Sequence, residues 1–497
     1  TLAFGPGLTP ERVVLRIGLP LNAKDGGTGR ANGAWNGKVR NLGGGGMVGS
    51  VGAVTTATNT GYVGSSTDSG HTSAENPGFV VIQATHQLNL GKIEDFFSES
   101  LRLQYQWALR LAQAYYGTPA TRNYWDGCST GGRQGLVLAS RYGEDFDGFL
   151  VGAPHTSHTK TSASAMWRQW VNKDVAAGTV TDAKQQAAVN AAVAACDAQD
   201  GVVDGLLADP RQCHFSASAN VCGQPGAPAA PLCLTAGEAQ AIDMIWDGAR
   251  NDHGTRVWPS GGRAALNSME VGDNCGAAVT NNTRNNAIAC WIQKDMTSDW
   301  RAGPLSNWDD LMQLGTNSLS PYIDFRDFTL EKVKNKGGKI LMWHGNADPL
   351  INYQQNTYYY QTVASNYGGV DNLKPWFRFF VAPGVGPCSG GVGPNPVDPF
   401  SPVVNWVESG NAPDSIPAAA GARTRPLCPW PQTAIYNGSG STDDAANFHC
   451  GGNLDSDRGT RCQNYLIAKY QHESEADYQA TALDDPAACG PGELGPQ

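Results

Sequence analysis

The sequence predicts an α/β fold, a mostly parallel sheet interrupted by a large cysteine-rich insertion. Three observations carry this. Strand-like and helix-like stretches alternate over about the first 155 residues, the alternation stops between about residues 158 and 328, and it resumes at residues 339–343. Strands that alternate with helices run parallel, because each return to the same edge of the sheet needs a crossover connection.

The elements follow in order. Residues 13–19 and 35–42 predict strands, the second ending in Gly43-Gly44-Gly45-Gly46. Residues 79–82 predict a third strand. Residues 98–116 have helical spacing, with Leu101, Tyr105, Leu109 and Ala112 on one face. A short strand at 123–125, a helix over 133–141 and a strand at 149–151 complete the first half. The insertion then brings Ala-rich helix, acidic turns, Pro/Gly loops and six cysteines. After it come a strand at 339–343, a helix through Tyr358-Tyr359-Tyr360 and a strand at 376–381. The expected division is residues 1–157 with 329–497 as one domain and residues 158–328 as the inserted one.

Composition narrows the function. A chain of 497 residues can bury a large core, and its 61 glycines and 29 prolines imply many ordered turns. The net charge of −10, without a dense Lys/Arg cluster, argues against nucleic acid as the main partner. No run of 18 apolar residues occurs, so no helix is expected to span a membrane. The chain opens at Thr1 without a basic-then-apolar leader, and any signal peptide is expected to have been removed. The 12 cysteines lack the paired C-x-x-C spacing of zinc sites. Ten fall in near-neighbour pairs: Cys196 and Cys213, Cys222 and Cys233, Cys275 and Cys290, Cys428 and Cys450, Cys462 and Cys489. Local staples of this kind point to an oxidising compartment, extracellular or periplasmic. Cys128 and Cys388 are left over, and spacing alone does not fix the connectivity.

Gly127-Cys128-Ser129-Thr130-Gly131 matches G-x-S-x-G between a predicted strand and a predicted helix. That context suits a nucleophilic serine on a tight turn, where small flanking residues are a steric requirement. The Thr130 N–H, at the start of the helix, can donate to an oxyanion. A second donor is expected from the glycine loop, at Gly45 or Gly46, since backbone approaches a substrate closely where no Cβ intervenes. A Gly-rich structural turn is the plainer alternative at both places.

These residues resemble the tannase/feruloyl esterase family. Gly127 through Gly135, the run from Tyr142 through Phe146-Asp147-Gly148 to Gly152-Ala153-Pro154, and Ser66-Thr67-Asp68-Ser69-Gly70-His71 are similar to its signatures. The likeness extends from Trp35-Asn36-Gly37 to Arg425-Pro426-Leu427-Cys428-Pro429. It implies an α/β-hydrolase sheet with the insertion as a lid, and a serine esterase acting on aromatic acyl esters: gallates, ferulates and other hydroxycinnamates, in one branch the mono-ester of terephthalate. Small aromatic esters or phenolic esters on plant polysaccharide are then the expected partners. By resemblance Ser129 is the nucleophile, Asp348 in His344-Gly345-Asn346-Ala347-Asp348 is the triad acid, and Cys128 is bonded to Cys388 beside the triad. The family's histidine falls in a segment like Ala382-Pro383-Gly384-Val385-Gly386-Pro387-Cys388-Ser389-Gly390-Gly391, where this chain has Pro387.

Proline offers no ring nitrogen to take a proton from Ser129. His449-Cys450 is a literal His-Cys pair, but its neighbours match the family's C-terminal segment. His71 and His344 are expected to be structural or substrate-facing. Two functions stay open: an esterase altered at its base position, and an inactive relative that binds aromatic esters. A last feature is Asp197-Ala198-Gln199-Asp200-Gly201-Val202-Val203-Asp204-Gly205-Leu206. By itself this is a solvated acidic turn or a site for a hard cation. The resemblance implies structural Ca²⁺, held by the side chains of Asp197, Asp200 and Asp204 and the carbonyls of Val202 and Leu206. Trp167, Trp170, Trp258, Trp291, Trp300, Trp308 and Tyr322 in the insertion suit aromatic ligands and equally suit a core.

Overall fold

The computed structural model describes residues 12–22, 25, 35–252, 256–259, 262–264, 287–298 and 303–454. A seven-stranded sheet forms its centre. The strands are β1 (Leu15–Gly18), β2 (Lys38–Leu42), β3 (Val63–Thr67), β4 (Arg122–Cys128), β5 (Gly148–Gly152), β6 (Lys339–Gly345) and β7 (Phe377–Ala382). Their spatial order is β1-β3-β2-β4-β5-β6-β7. Only β1 runs antiparallel to its neighbour; every other pair is parallel. Every residue of β5 is buried, as expected of a central parallel strand covered on both faces. Helices α1 (Ser100–Tyr116) and α2 (Thr130–Tyr142) follow β3 and β4, and two later helices of this part are Tyr353–Asn366 and Phe400–Ser409.

One expectation changes. Residues 79–82 do not join the central sheet. Gly78–Val80 is a 3₁₀ turn, and Val81–Ile82 pairs only with Gln87–Leu88. The third strand is Val63–Thr67 instead, with sequence VGSST. Its buried hydroxyls hide it from a hydrophobic pattern, yet they are satisfied. Ser65 Oγ donates to Asn41 Oδ1 at 2.7 Å, and Gln104 Nε2 donates to the Ser65 carbonyl at 3.1 Å.

Within the insertion lie the helices α3 (His158–Val175), α4 (Asp182–Cys196), α5 (Ala236–Asp247) and α6 (Trp308–Ser318). Their apolar faces build a core around Trp167, Trp170, Trp258, Trp291 and Trp308. Phe79, Phe96 and Phe97, from the segment before α1, belong to the same core. The sheet has its own core, with Trp125, Phe149, Met342 and Phe379 on one face and Tyr124, Leu341, Trp343 and Phe380 on the other. Disulfides Cys128–Cys388, Cys196–Cys213, Cys222–Cys233 and Cys428–Cys450 are present. Cys275, Cys462 and Cys489 lie outside the described residues.

Candidate active site

β4 ends at Cys128 and α2 begins at Thr130, so Ser129 alone makes the turn between them. Its backbone sits at φ 60°, ψ −121°, a conformation that costs a non-glycine residue of order 1–3 kcal/mol. Two hydrogen bonds hold it there. The Ser129 N–H donates to the Gly152 carbonyl at 2.9 Å, and the Ser129 carbonyl accepts from the Arg133 N–H at 3.0 Å. Close packing leaves no room for a side chain at 127 and little at 131. A Cβ on Gly127 would stand 2.4 Å from the Gly131 carbonyl oxygen, and one on Gly131 would stand 3.0 Å from that of Gly44. Ser129 Oγ has no hydrogen-bond partner among the described residues.

The glycine loop after β2 lies against the first turn of α2. The Gly43 N–H donates to the Asp126 carbonyl at 2.9 Å, and the Gly44 N–H to Gln134 Oε1 at 3.0 Å. Thr130 Oγ1 donates to the Gly46 carbonyl at 2.6 Å. Among the described residues the N–H groups of Gly45 and Gly46 have no partner, which leaves them, with the first-turn N–H of Thr130, open to a substrate oxygen. His71 supports this loop from behind. Its Nε2 lies 2.8 Å from the Met47 carbonyl and 3.0 Å from Asn76 Oδ1, and its ring stacks on Phe79.

Asp348 follows β6 and is 2% exposed. Its Oδ1 accepts from the N–H groups of Leu350 at 2.8 Å and Ile351 at 2.9 Å. Its Oδ2 lies 2.9 Å from His344 Nε2. His344 Nδ1 lies 2.8 Å from Asn356 Nδ2, which can only donate, so Nδ1 accepts and Nε2 carries the proton toward Asp348. Both nitrogens of His344 are therefore occupied, and this ring is not available to Ser129.

The loop after β7 is zipped to the loop after β6. The Asn346 N–H donates to the Ala382 carbonyl and the Ala347 N–H to that of Val385, each at 3.0 Å, and the Gly384 N–H donates to Asn346 Oδ1 at 2.8 Å. Cys388 is bonded to Cys128, with Cα atoms 5.9 Å apart, and the Pro387 carbonyl lies 3.5 Å from Cys128 Sγ. Position 387 is thus fixed between the Ser129 turn and the Asp348 loop, and a proline occupies it. His449 is elsewhere. It is exposed on the strand Phe448–Gly451, which among the described residues pairs only with Thr433–Tyr436, and its Nδ1 is 2.6 Å from Asn437 Oδ1.

The acidic loop of the insertion begins as a 3₁₀ turn, Asp197–Asp200. Its carboxylates accept from the loop's own amides: Asp197 from Asp204 and Gly205, Asp200 from Val202 and Ala208, Asp204 from Leu206. Asp204 also pairs with Arg425. Burial pushes Asp200 up to about 6, and the neighbouring charges of Asp204 and Asp197 add to the rise. The hard-oxygen donor set fits Ca²⁺ in kind. Among the described residues, though, no three acidic, histidine or cysteine side chains are gathered closely enough to share an ion. The Asn346 Nδ2 donates to the Leu207 carbonyl at 2.8 Å, which joins this loop to that of Asp348.

Several residues were not singled out from sequence. Gln134 had a usable signal, since it lies one helical turn after Thr130 on the same face. Asn346 and Arg168, whose Nη1 donates to the Pro349 carbonyl at 3.1 Å, had none. His155 and His158, buried at the mouth of the insertion, were also missed.

The chain has known relatives. It is 30% identical over 475 residues to a probable feruloyl esterase of Arthroderma benhamiae, a match covering 88% of this chain and 83% of that one. It is 29% identical to the mono(2-hydroxyethyl) terephthalate hydrolase of Piscinibacter sakaiensis, covering 84% and 79%. Among solved structures, a tannin acyl hydrolase from Aspergillus niger superposes with a TM-score of 0.78 at 22% identity, covering 96% of this chain and 88% of that one. Feruloyl esterase B from Aspergillus oryzae superposes with a TM-score of 0.74 at 23% identity, covering 89% and 88%. These two show the same overall fold as this chain. The family description tannase and feruloyl esterase matches residues 31–451, and the chain belongs to that family.

Proposed function

We propose that this chain is a serine carboxylic ester hydrolase for aromatic acyl esters, feruloyl or other hydroxycinnamoyl and galloyl esters, whose turnover is held down by Pro387. The observation that carries this is the strained Ser129 turn, disulfide-linked to the position where a base is required. Ser129 Oγ attacks the ester carbonyl as its proton is taken up; the N–H groups of Thr130 and of Gly45 or Gly46 receive the oxyanion; collapse breaks the ester C–O bond, the alcohol leaves with that proton, and water then hydrolyses the acyl-serine to the free acid and Ser129. The attack needs a base at Oγ, and Asp348 serves to orient an imidazole rather than to replace one. Loss of a triad member costs on the order of 10⁴–10⁶ in turnover while leaving residual catalysis.

The test is hydrolysis of methyl ferulate and methyl gallate by the chain and by Pro387→His, with Ser129→Ala and His449→Ala alongside. A gain of several orders of magnitude in Pro387→His, lost with Ser129→Ala, is expected. Full activity of the Pro387 form that disappears in His449→Ala would assign the base to His449. The alternative, a relative that binds aromatic esters without turning them over, is supported by the same Pro387; it requires tight binding and no gain in Pro387→His. Hydrolysis of terephthalate mono-esters is the remaining alternative, supported by the Piscinibacter relative.

We also propose a structural Ca²⁺ for the acidic loop, held by Asp197, Asp200 and Asp204 with the Val202 and Leu206 carbonyls, which requires the three carboxylates to draw closer together than they stand. The support is three carboxylates within eight residues, each accepting from different amides of the same loop. Chelation should lower the melting temperature of the chain and leave that of Asp197→Ala/Asp200→Ala unmoved; equal melting curves with and without chelator, and no calcium by elemental analysis, would reject it. The disulfides support secretion to an extracellular or periplasmic space.

A further inference from the structure

Three residues beyond Gly152, whose carbonyl holds Ser129, the chain reaches His155, and three residues later His158 opens helix α3. The two rings lie face-near, with centroids 4.2 Å apart. They are 8% and 6% exposed. Among the described residues, His155 Nε2 and both ring nitrogens of His158 are buried with no hydrogen-bond partner. The surroundings are aromatic: His158 lies nearly parallel to Trp291 at 5.9 Å and edge-on to Phe97 at 6.0 Å.

This cluster adjoins the reaction centre. A Cβ on Gly132, in the first turn of α2, would touch the Gly152 carbonyl and the Pro154 Cα, so the nucleophile helix packs on the strand end that leads into His155. Burial, the nearby Arg133 guanidinium and His344 hold His155 down to about 3, and burial, His155 and Arg133 keep His158 well below its ordinary value. Both imidazoles are therefore neutral at ordinary pH. A neutral imidazole has one N–H donor and one acceptor nitrogen. A buried polar atom without a partner is destabilising, and native structures retain few of them.

We propose that His155 and His158 form a recognition subsite for phenolic hydroxyls on the acyl ring of the substrate. This rests on the aromatic-ester function proposed above and names the kind of ring preferred. A hydroxyl both donates and accepts, and so matches an imidazole pair that offers both. A carboxylate only accepts and would leave the acceptor nitrogens unpaired. An unsubstituted ring satisfies none of them. The rings are closed over as they stand, so a ligand reaches them only if the packing of His158 against Trp291 and Phe97 opens.

Binding can be measured on the intact chain by calorimetry, with Ser129→Ala in parallel to exclude turnover. The probes are methyl 3,4,5-trihydroxybenzoate, methyl benzoate and monomethyl terephthalate. The trihydroxy ester should bind tighter than methyl benzoate by on the order of ten-fold or more. His155→Phe and His158→Phe should each bring that ratio toward one with methyl benzoate affinity little changed, while His158→Gln, which keeps a donor and an acceptor, should retain part of it. The subsite is overturned if the intact chain binds methyl benzoate as tightly as the trihydroxy ester, if it prefers monomethyl terephthalate, or if both Phe variants keep the ratio. Binding of methyl benzoate with no hydroxyl preference leaves the aromatic-ester function standing; binding of none of the three esters overturns that function, and the subsite with it.

Discussion

Single atoms decide the chemistry at this site. Gln134 Oε1 occupies the Gly44 N–H and so leaves Gly45 and Gly46 as the free donors. Gln134→Ala should cost about 1 kcal/mol in stability by chemical denaturation. In a Pro387→His background it should also lower kcat with little change in KM, because a loosened oxyanion loop acts on the transition state; an unchanged kcat would show that Gln134 only packs. The buried histidines give a pH signature. His155 has an ordinary value of 6.5 and a folded value of about 3, so the unfolded chain binds more protons between those limits. Stability is then fully present above pH 6.5 and falls as the pH drops toward 3, by about 1.4 kcal/mol per pH unit for one such ring. His155→Phe should flatten the decline in melting temperature between pH 6.5 and 4, and a decline as steep as in the unmodified chain would contradict its neutrality.

At the scale of elements, the site is a junction of strand ends, and its weak point is the seam between the loops after β6 and β7. A Cβ on Gly345 would stand 2.2 Å from the carbonyl oxygens of Val385 and Gly386. Gly345→Ala should therefore separate Asp348 from position 387 and abolish the activity gained in Pro387→His, whereas Gly337→Ala, a site with no neighbour within 4 Å although its φ is 79°, should affect stability alone. Equal activity losses in the two variants would mean that the seam does not position the site. These strand ends also show what a sequence can and cannot reveal. The Ser129 turn was legible because strain and close packing demand glycines at fixed offsets, and those offsets are visible in one line of sequence. The strand Val63–Thr67 was not, because a Gly/Ser/Thr segment becomes buried only through partners at Asn41 and Gln104 that no local pattern announces. Residues 79–82 misled for the opposite reason: Phe79 and Val80 are apolar because they face the insertion, which a short hydrophobic run cannot distinguish from a sheet. The His155–His158 pair was invisible because its meaning lies in missing partners, a property of packing alone.

Across the whole molecule, the insertion and the sheet domain share a core. Phe79, Phe96 and Phe97 precede the nucleophile strand in sequence, yet they pack with Trp170, Trp291 and Trp308 of the insertion. Arg133 of α2 lies over the Phe97 ring at 4.1 Å and donates to the Phe96 and Phe97 carbonyls, which carries that contact to the turn that holds Ser129. A lid joined only by its two chain connections would unfold separately, because domains with few crossing contacts behave as independent units. Here the insertion cannot leave without exposing three phenylalanines of the other part. Heating should give a single cooperative transition followed by both near-UV ellipticity and tryptophan fluorescence. Phe96→Ala, which removes a fully buried ring at a cost of roughly 3–5 kcal/mol, should lower both signals at the same midpoint. Two resolved transitions, with Phe96→Ala moving only the insertion's, would show instead that the insertion folds by itself and that Ser129 is held without it.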